Sequence, residues 1–273
     1  MSGGSASMEN SPQQTAVSGT SPIDVQIDDG IAIITLARPP VNAIDPAWLV
    51  QLEEALDRLE HTESVRVLRI RSNQQVFCAG ADLDFMRAHF ASEVGRKLII
   101  DFTRHMQAVY ARLESADLVS IAEIGGAALG GGFELALACD LRVVTTSASV
   151  GLPEARLGLL PAGGGTQRLV RIGGDALARR LILGAERVNG ADAVALGLAH
   201  WIAPASELGS FSDALARRIA QIPRAALIAG KCCIAAASDP GRDGFALELA
   251  NSAALLALPE TQQRVRGILD QKQ

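Results

Sequence analysis

Two acids in this chain, Glu134 and Glu154, each follow a stretch of backbone suited to holding a negatively charged oxygen. Glu134 closes Leu129-Gly130-Gly131-Gly132-Phe133-Glu134. Three consecutive glycines let a main chain approach a ligand closely and then enter a helix with its N–H groups forward. Glu154 stands 154 − 134 = 20 residues later, in Gly151-Leu152-Pro153-Glu154, where proline stiffens the approach. Two acids beside an anion-stabilising backbone point to proton-transfer chemistry. Taken singly, each signal has a plainer reading: close helix packing for the glycines, and for Glu154 a helix-terminal acid paired with Arg156 or Arg168.

The elements that position these acids follow from the pattern. Ile23 to Ile27 and Ile31 to Ala37 are two β-rich runs joined at Asp28-Asp29-Gly30, a hairpin signal. Asp45-Pro46 is an N-cap and first helical residue, after which Trp48, Leu49, Leu52, Leu56 and Leu59 keep a helical period. Val65 to Arg71 reads as a strand, and Leu83 to Ala116 as a long helical stretch interrupted near Ala91-Ser92. Leu118 to Ile124 is a buried strand, the glycines at 130 to 132 open a helix, and Leu141 to Thr146 form another strand. From Phe211 the chain reads as purely helical, broken at Pro223, Pro240-Gly241 and Pro259, a helical appendage to the core. Strand pairs followed by helices differ from the strict alternation of a Rossmann fold.

Composition bounds the class. With 273 residues, 48% hydrophobic, 26 glycines and 4% aromatics, the chain reads as one large α/β domain with an appendage. A net charge of −5 gives no general attraction to nucleic acid or anionic lipid, and no apolar run approaches the roughly 20 residues of a membrane helix. Cys78, Cys139, Cys232 and Cys233 lack metal-ligand spacing and read as reduced, mostly buried thiols, so no metal site is expected. Residues 1–21, rich in Ser, Gly, Gln and Thr without Lys or Arg, match no targeting signal and read as a disordered tail. A cytoplasmic location is the default expectation.

Three segments carry a resemblance to the enoyl-CoA hydratase/isomerase (crotonase) superfamily, on the enoyl-CoA hydratase side. They are Phe77-Cys78-Ala79-Gly80-Ala81-Asp82-Leu83; Ile124 through Leu135, continuing to Ala138-Cys139-Asp140; and Pro153-Glu154 with Leu157-Gly158-Leu159-Leu160-Pro161 and Gly164-Gly165-Thr166-Gln167-Arg168-Leu169. The resemblance implies an α/β fold, a crotonase-like spiral of repeated ββα units over residues 22–205. A helical C-terminal region at 206–273 is then expected to pack in homotrimers that commonly pair into homohexamers.

It further implies an oxyanion hole from the N–H groups of Ala81 and Gly131. Glu134 and Glu154 hold a water, with Glu134 more often assigned to activating it and Glu154 to protonating carbon. Substrate and CoA contacts are implied at Ala79, Gly80, Asp82, Leu83, Gly130 and Pro153, Asp82 also fixing its loop by hydrogen bonding. The implied reaction adds water to trans-2-enoyl-CoA to give 3-hydroxyacyl-CoA, with coenzyme A as part of the substrate, no separate cofactor, and no nucleic-acid or membrane partner. Isomerisation of enoyl-CoA, hydration of a branched or aromatic acyl-CoA, RNA binding and an inactive homologue are the alternatives. Gly163-Gly164-Gly165-Thr166 lacks a Lys-Ser/Thr ending and reads as a turn rather than a nucleotide loop. Glu123 either pairs with an arginine or lines the pocket. The family's C-terminal pattern is degraded, leaving Lys272 as the one candidate for a basic CoA contact.

Overall fold

The computed structural model of the chain describes residues 21–270. The expected disordered tail falls, Ser21 apart, outside the described residues, as does Lys272. The chain opens with β1 (Ile23–Asp28) and β2 (Ile31–Leu36), paired antiparallel. Asp29 and Gly30 both take positive φ, 45° and 75°, which a two-residue hairpin turn demands and an Asp-Gly pair tolerates. α1 (Pro46–Glu60) starts where the Asp45 carboxylate accepts the Trp48 N–H at 2.7 Å, and its stripe of Trp48, Leu49, Leu52, Leu56 and Leu59 is buried. β3 (Val67–Ser72) begins two residues beyond Val65, whose N–H is engaged by the Thr62 carbonyl in a turn.

The long helical stretch divides into α2 (Leu83–His89) and α3 (Glu93–Ser115). Ser92 caps the second piece by accepting the Gly95 N–H at 3.0 Å, which is why the break falls there. Next come β4 (Val119–Ile124), β5 (Ala127–Leu129), α4 (Gly131–Ala138), β6 (Leu141–Thr145), β7 (Ser149–Gly151) and a 3-10 turn, Pro153–Leu157. The chain continues through α5 (Gly165–Leu183), β8 (Arg187–Asn189), α6 (Gly190–Ala195) and β9 (Trp201–Ala203). Four helices close it: α7 (Leu208–Ala220), α8 (Arg224–Ala236), α9 (Gly244–Ala257) and α10 (Pro259–Asp270).

The main sheet runs β1-β2-β3-β4-β6-β9, parallel after its first pair, and β5, β7 and β8 make a second, small sheet. β4 and β6 each enter the large sheet; β5 and β7 then pair in the small one before the chain turns into a helix. That is the ββα repeat. Side chains alternate across the large sheet, so Ala32, Ile34, Leu68, Ile70 and Ala122 join the core with α1 and α3. Ile31, Val67, Ile121 and Val143 face the other way, onto Leu215, Ala216 and Ile219 of α7.

α7 begins three residues before Phe211 and lies on the sheet itself, whereas α9 and α10 bury no residue within the chain. On the α7 side Arg69 and Glu123, each 3% exposed, form an ion pair at 2.5 Å. Arg69 also reaches Asp213 at 3.0 Å and the Gly209 carbonyl at 3.1 Å, tying α7 to β3 and β4. Glu123 therefore has an arginine partner.

Candidate active site

α4 carries the first acid and is buried on every side, from Gly131 to Ala138. Glu134 is 2% exposed, so it needs fixed partners. Its Oε1 accepts the Gly165 N–H at 2.7 Å; that amide opens α5 and lies at the positive end of the helix. The turn before α5 leaves no room for side chains there. A Cβ added to Gly163 would stand 2.7 Å from Glu134 Oε2, and one on Gly165 2.8 Å from Oε1. Burial pushes the Glu134 pKa up to about 7; the Gly165 hydrogen bond and Arg168 favour the carboxylate, while the charge of Glu154 works with burial.

Glu154 lies on the 3-10 turn, whose first residue is Pro153. Its Oε1 is 2.9 Å from the point a Cβ on Gly130 would occupy. Its Oε2 is buried and has no hydrogen-bond partner among the described residues, and burial raises its pKa above the ordinary value. Arg168 is engaged elsewhere, by Glu114 and the Gly163 carbonyl, and among the described residues Arg156 forms no ion pair with Glu154.

The two amides of interest meet where two loops touch along their backbones. Ile44 bridges in parallel to Ala81, donating to the Gly80 carbonyl at 2.9 Å and accepting from the Asp82 N–H at 2.8 Å. Those bonds flank Ala81, and neither its N–H nor that of Gly131 has a backbone acceptor among the described residues. Gly80, at φ 97°, admits the contact: a Cβ there would lie 2.9 Å from the Leu129 carbonyl oxygen and 3.1 Å from the Gly131 nitrogen. A Cβ on Gly131 would sit 3.6 Å from the Ala81 nitrogen. Gly130, at φ 52°, donates to the Gly151 carbonyl at 3.0 Å, which fastens the start of α4 to the small sheet.

Around this centre, Asp82 caps α2 by accepting the Asp84 and Phe85 N–H groups at 2.9 and 3.1 Å, and it takes Arg38 at 2.7 Å. Ala79 and Leu83 are exposed at the rim, the former donating its N–H to the Val41 carbonyl at 3.0 Å. Cys78 is buried, its thiol directed at the Asn42 carbonyl and its pKa pushed up to about 12 by burial, which removes it as a nucleophile near neutrality. Cys139 is also buried, while Cys232 and Cys233 are only partly so.

Three contributors were given no role at the site from the sequence, although the first was read there as a turn. The Gly163–Gly165 turn receives the Glu134 carboxylate. The Tyr110 hydroxyl donates to the Gly131 carbonyl at 2.9 Å. The Met106 sulfur lies 3.2 and 3.5 Å from the points where Cβ atoms on Gly163 and Gly131 would be. Their signals were present, a glycine cluster and the buried stripe of α3, but neither pattern names a target. Surface cavities of about 330, 200 and 260 Å3 lie elsewhere, none lined by either acid. The acids sit where backbone closes around them.

Comparison with known proteins fits this geometry. The sequence model of the family described as Enoyl-CoA hydratase/isomerase matches residues 26–269. The bovine (Bos taurus) protein named enoyl-CoA hydratase domain-containing protein 2, mitochondrial, is 44% identical over 196 residues, which cover 71% of this chain and 64% of that protein. The chain thus spans just under two thirds of that relative's length. Methylglutaconyl-CoA hydratase, mitochondrial, of Rattus norvegicus is 36% identical over 250 residues, 88% of this chain and 76% of that protein. Among solved structures, an enoyl-CoA hydratase from Bacillus anthracis superposes with a TM-score of 0.86 at 28% identity, covering 92% of this chain and 97% of that one. The ββα spiral described above is the fold of these proteins.

Proposed function

Since the chain belongs to the enoyl-CoA hydratase/isomerase family, we propose that it adds water to trans-2-enoyl-CoA thioesters to give 3-hydroxyacyl-CoA. The observation that carries this reading is the buried Glu134 carboxyl and the half-buried Glu154, its Oε2 enclosed and unpartnered among the described residues, near two adjacent backbone amides without backbone acceptors. Attack of water at the β-carbon drives the electron pair onto the thioester oxygen. Preorganised N–H donors aimed at that charge are worth about 2.7–4 kcal/mol each. Ala81 and Gly131 supply them in this reading, and the Tyr110 hydroxyl steadies the Gly131 peptide from behind.

The step needs one carboxylate to take a proton from the water and one carboxylic acid to give its proton to the α-carbon. Burial and the nearby charge of Glu154 favour that state, because both resist ionisation of Glu134. Burial raises both pKa values, that of Glu134 to about 7, so the pair retains one proton up to near neutrality. Relatives that only isomerise or hydrolyse commonly lack one or both acids, and the presence of both favours hydration.

The exposed rim at Ala79 and Leu83, with Gly80, Asp82, Gly130 and Pro153 beneath it, is where the thioester and the CoA arm would lie. The rat relative named for methylglutaconyl-CoA favours a branched acyl group as the second reading. Apolar side chains standing in the open on the last helices, Ile234, Phe245 and Leu249 at 76, 82 and 75% exposure, support assembly into trimers or hexamers. The test is loss of enoyl-thioester absorbance with straight and branched 2-enoyl-CoAs and 3-enoyl-CoA, followed by product identification. Hydration by the parent that survives undiminished in both Glu134→Gln and Glu154→Gln would overturn the mechanism.

A further inference from the structure

Arg168 plays no part in the reaction as written, yet it is a 5% exposed cation packed behind it. Its Nη1 donates to the Gly163 carbonyl at 3.0 Å, and its Nε donates to Glu114 at the end of α3 at 2.9 Å. Glu114 is held from the other side by Arg171 at 3.1 Å. The turn under Arg168 is moulded to the guanidinium: Gly164 has φ 108°, and a Cβ there would fall 2.2 Å from Nη1. The two residues flanking Gly164 are those whose backbones enclose the Glu134 carboxylate, with the Gly165 N–H donating to it at 2.7 Å.

We infer that Arg168 is a positioning residue for Glu134. It clamps the Gly163–Gly165 turn against α3 through Glu114 and places a fixed positive charge behind the carboxylate. The inference rests on the reading of Glu134 as one of the two proton carriers. The titratable and charged groups about Glu134 are few. Glu154 faces it from the 3-10 turn, Arg168 from α5, and Tyr110, beside Cys78, from α3. Of these only Arg168 is positive, and it works against burial and against Glu154. Glu114 in turn offsets part of the Arg168 charge at a distance from the substrate.

Two variants separate a charge clamp from mere packing, because they move Glu134 in opposite directions. Arg168→Met removes the positive charge, so the Glu134 titration and the alkaline limb of kcat/KM shift upward by roughly one pH unit. Glu114→Gln keeps an amide oxygen that can accept the Arg168 Nε hydrogen bond, so the turn stays held while the anion that offsets Arg168 is lost, and both move downward. A residue that only fills space would shift neither in this signed way. The carboxyl is followed directly by infrared or NMR titration of protein carrying labelled glutamate, with Glu134→Gln identifying the band, and the pH profile is measured on the same samples. The carboxyl titration needs no substrate, so a parent that hydrates no enoyl-CoA would sink the functional reading while leaving this one to be judged by the band. Opposite shifts support the clamp. Shifts in the same direction, or titrations indistinguishable from the parent, overturn it. If Arg168→Met does not fold, Glu114→Gln decides alone: a downward shift supports the clamp, and no shift or an upward one overturns it.

Discussion

Replacing Glu134 by glutamine makes the cost of burying this acid measurable as stability. In the folded chain the carboxyl keeps its proton up to about pH 7, whereas its ordinary value is 4.5. Between those values folding takes up a proton, so the contribution of this group to stability falls as pH rises through the window and is lost above about 7. At 1.36 kcal/mol per pH unit, the interval from 4.5 to about 7 corresponds to about 3 kcal/mol, of which about 2.5 kcal/mol falls between pH 5 and pH 8. The acid is 2% exposed, so solvent screening takes little from this figure. Glutamine can still accept the Gly165 N–H, but its amide would then turn toward the Gly163 backbone, a loss that does not depend on pH. The readout is therefore the change with pH rather than the offset. Urea unfolding of parent and Glu134→Gln at one chain concentration, at pH 5 and pH 8, should show the variant gaining about 2.5 kcal/mol relative to the parent at the higher pH. A difference that does not change between the two pH values, or that reverses sign, would refute the reasoning that burial dominates at this site.

The other expectations concern rate and packing. Because the step needs one proton on the pair, kcat/KM for hydration should fall above about pH 7, with its acid limb at lower pH; a profile still climbing at pH 8 would contradict that state. Gly131→Ala keeps its backbone N–H but places its methyl 3.4 Å from Ile44 and 3.6 Å from the Ala81 nitrogen, so the chain should fold while the methyl crowds the space between the two donors and kcat falls, at most by the roughly 100-fold that losing one donor outright would cost. Gly132→Ala, whose Cβ would meet the Cys78 carbonyl oxygen at 2.3 Å, should instead lose about 1–3 kcal/mol or more of stability in urea. Arg69→Met leaves Glu123 buried without its cation and should cost about 3–5 kcal/mol, while Arg69→Met with Glu123→Leu should recover much of it, both by urea unfolding.

The hairpin at Asp29-Gly30, the capped start of α1 and the break before Glu93 were legible because each is a local event written in adjacent residues. The small sheet was not. β5, β7 and β8 have three residues apiece, too few to display a period, and their pairing joins segments far apart in sequence. The same divide runs through the site. The glycines before Glu134 and the proline before Glu154 could be read because backbone geometry constrains residue type within a few positions. Tyr110, Met106 and Arg168 belong to helices whose periodicity says only that a face is buried; which group that face touches is a tertiary fact. The Gly163–Gly165 turn lay between these cases. Its glycines read as a turn, and the turn's object, the Glu134 carboxylate, could not be read from them.

That arrangement has a consequence for how the site holds its charges. The donor nearest Glu134 is a backbone amide, and the cation behind it acts at one remove, through the Gly163 carbonyl. An arginine bonded directly to the carboxylate would favour its charged form more than a backbone amide does and work against keeping a proton near neutrality. An amide at a helix start supplies a weaker, fixed field, which lets burial keep the pKa high. Glu123 is held differently: it is 3% exposed and paired directly to Arg69, which pulls against the burial that still raises its pKa, and the pairing ties α7 to the sheet. For Glu134 to sit instead among backbone amides, the walls must come within van der Waals reach. Cβ atoms at Gly163 and Gly165 would stand 2.7 and 2.8 Å from its oxygens, closer than real side chains come. The glycines at 163 and 165 are thus the sequence expression of how this carboxylate is held. In the proposed reaction Glu134 exchanges protons near neutral pH while held by main chain, and main chain comes this close only where there is no Cβ.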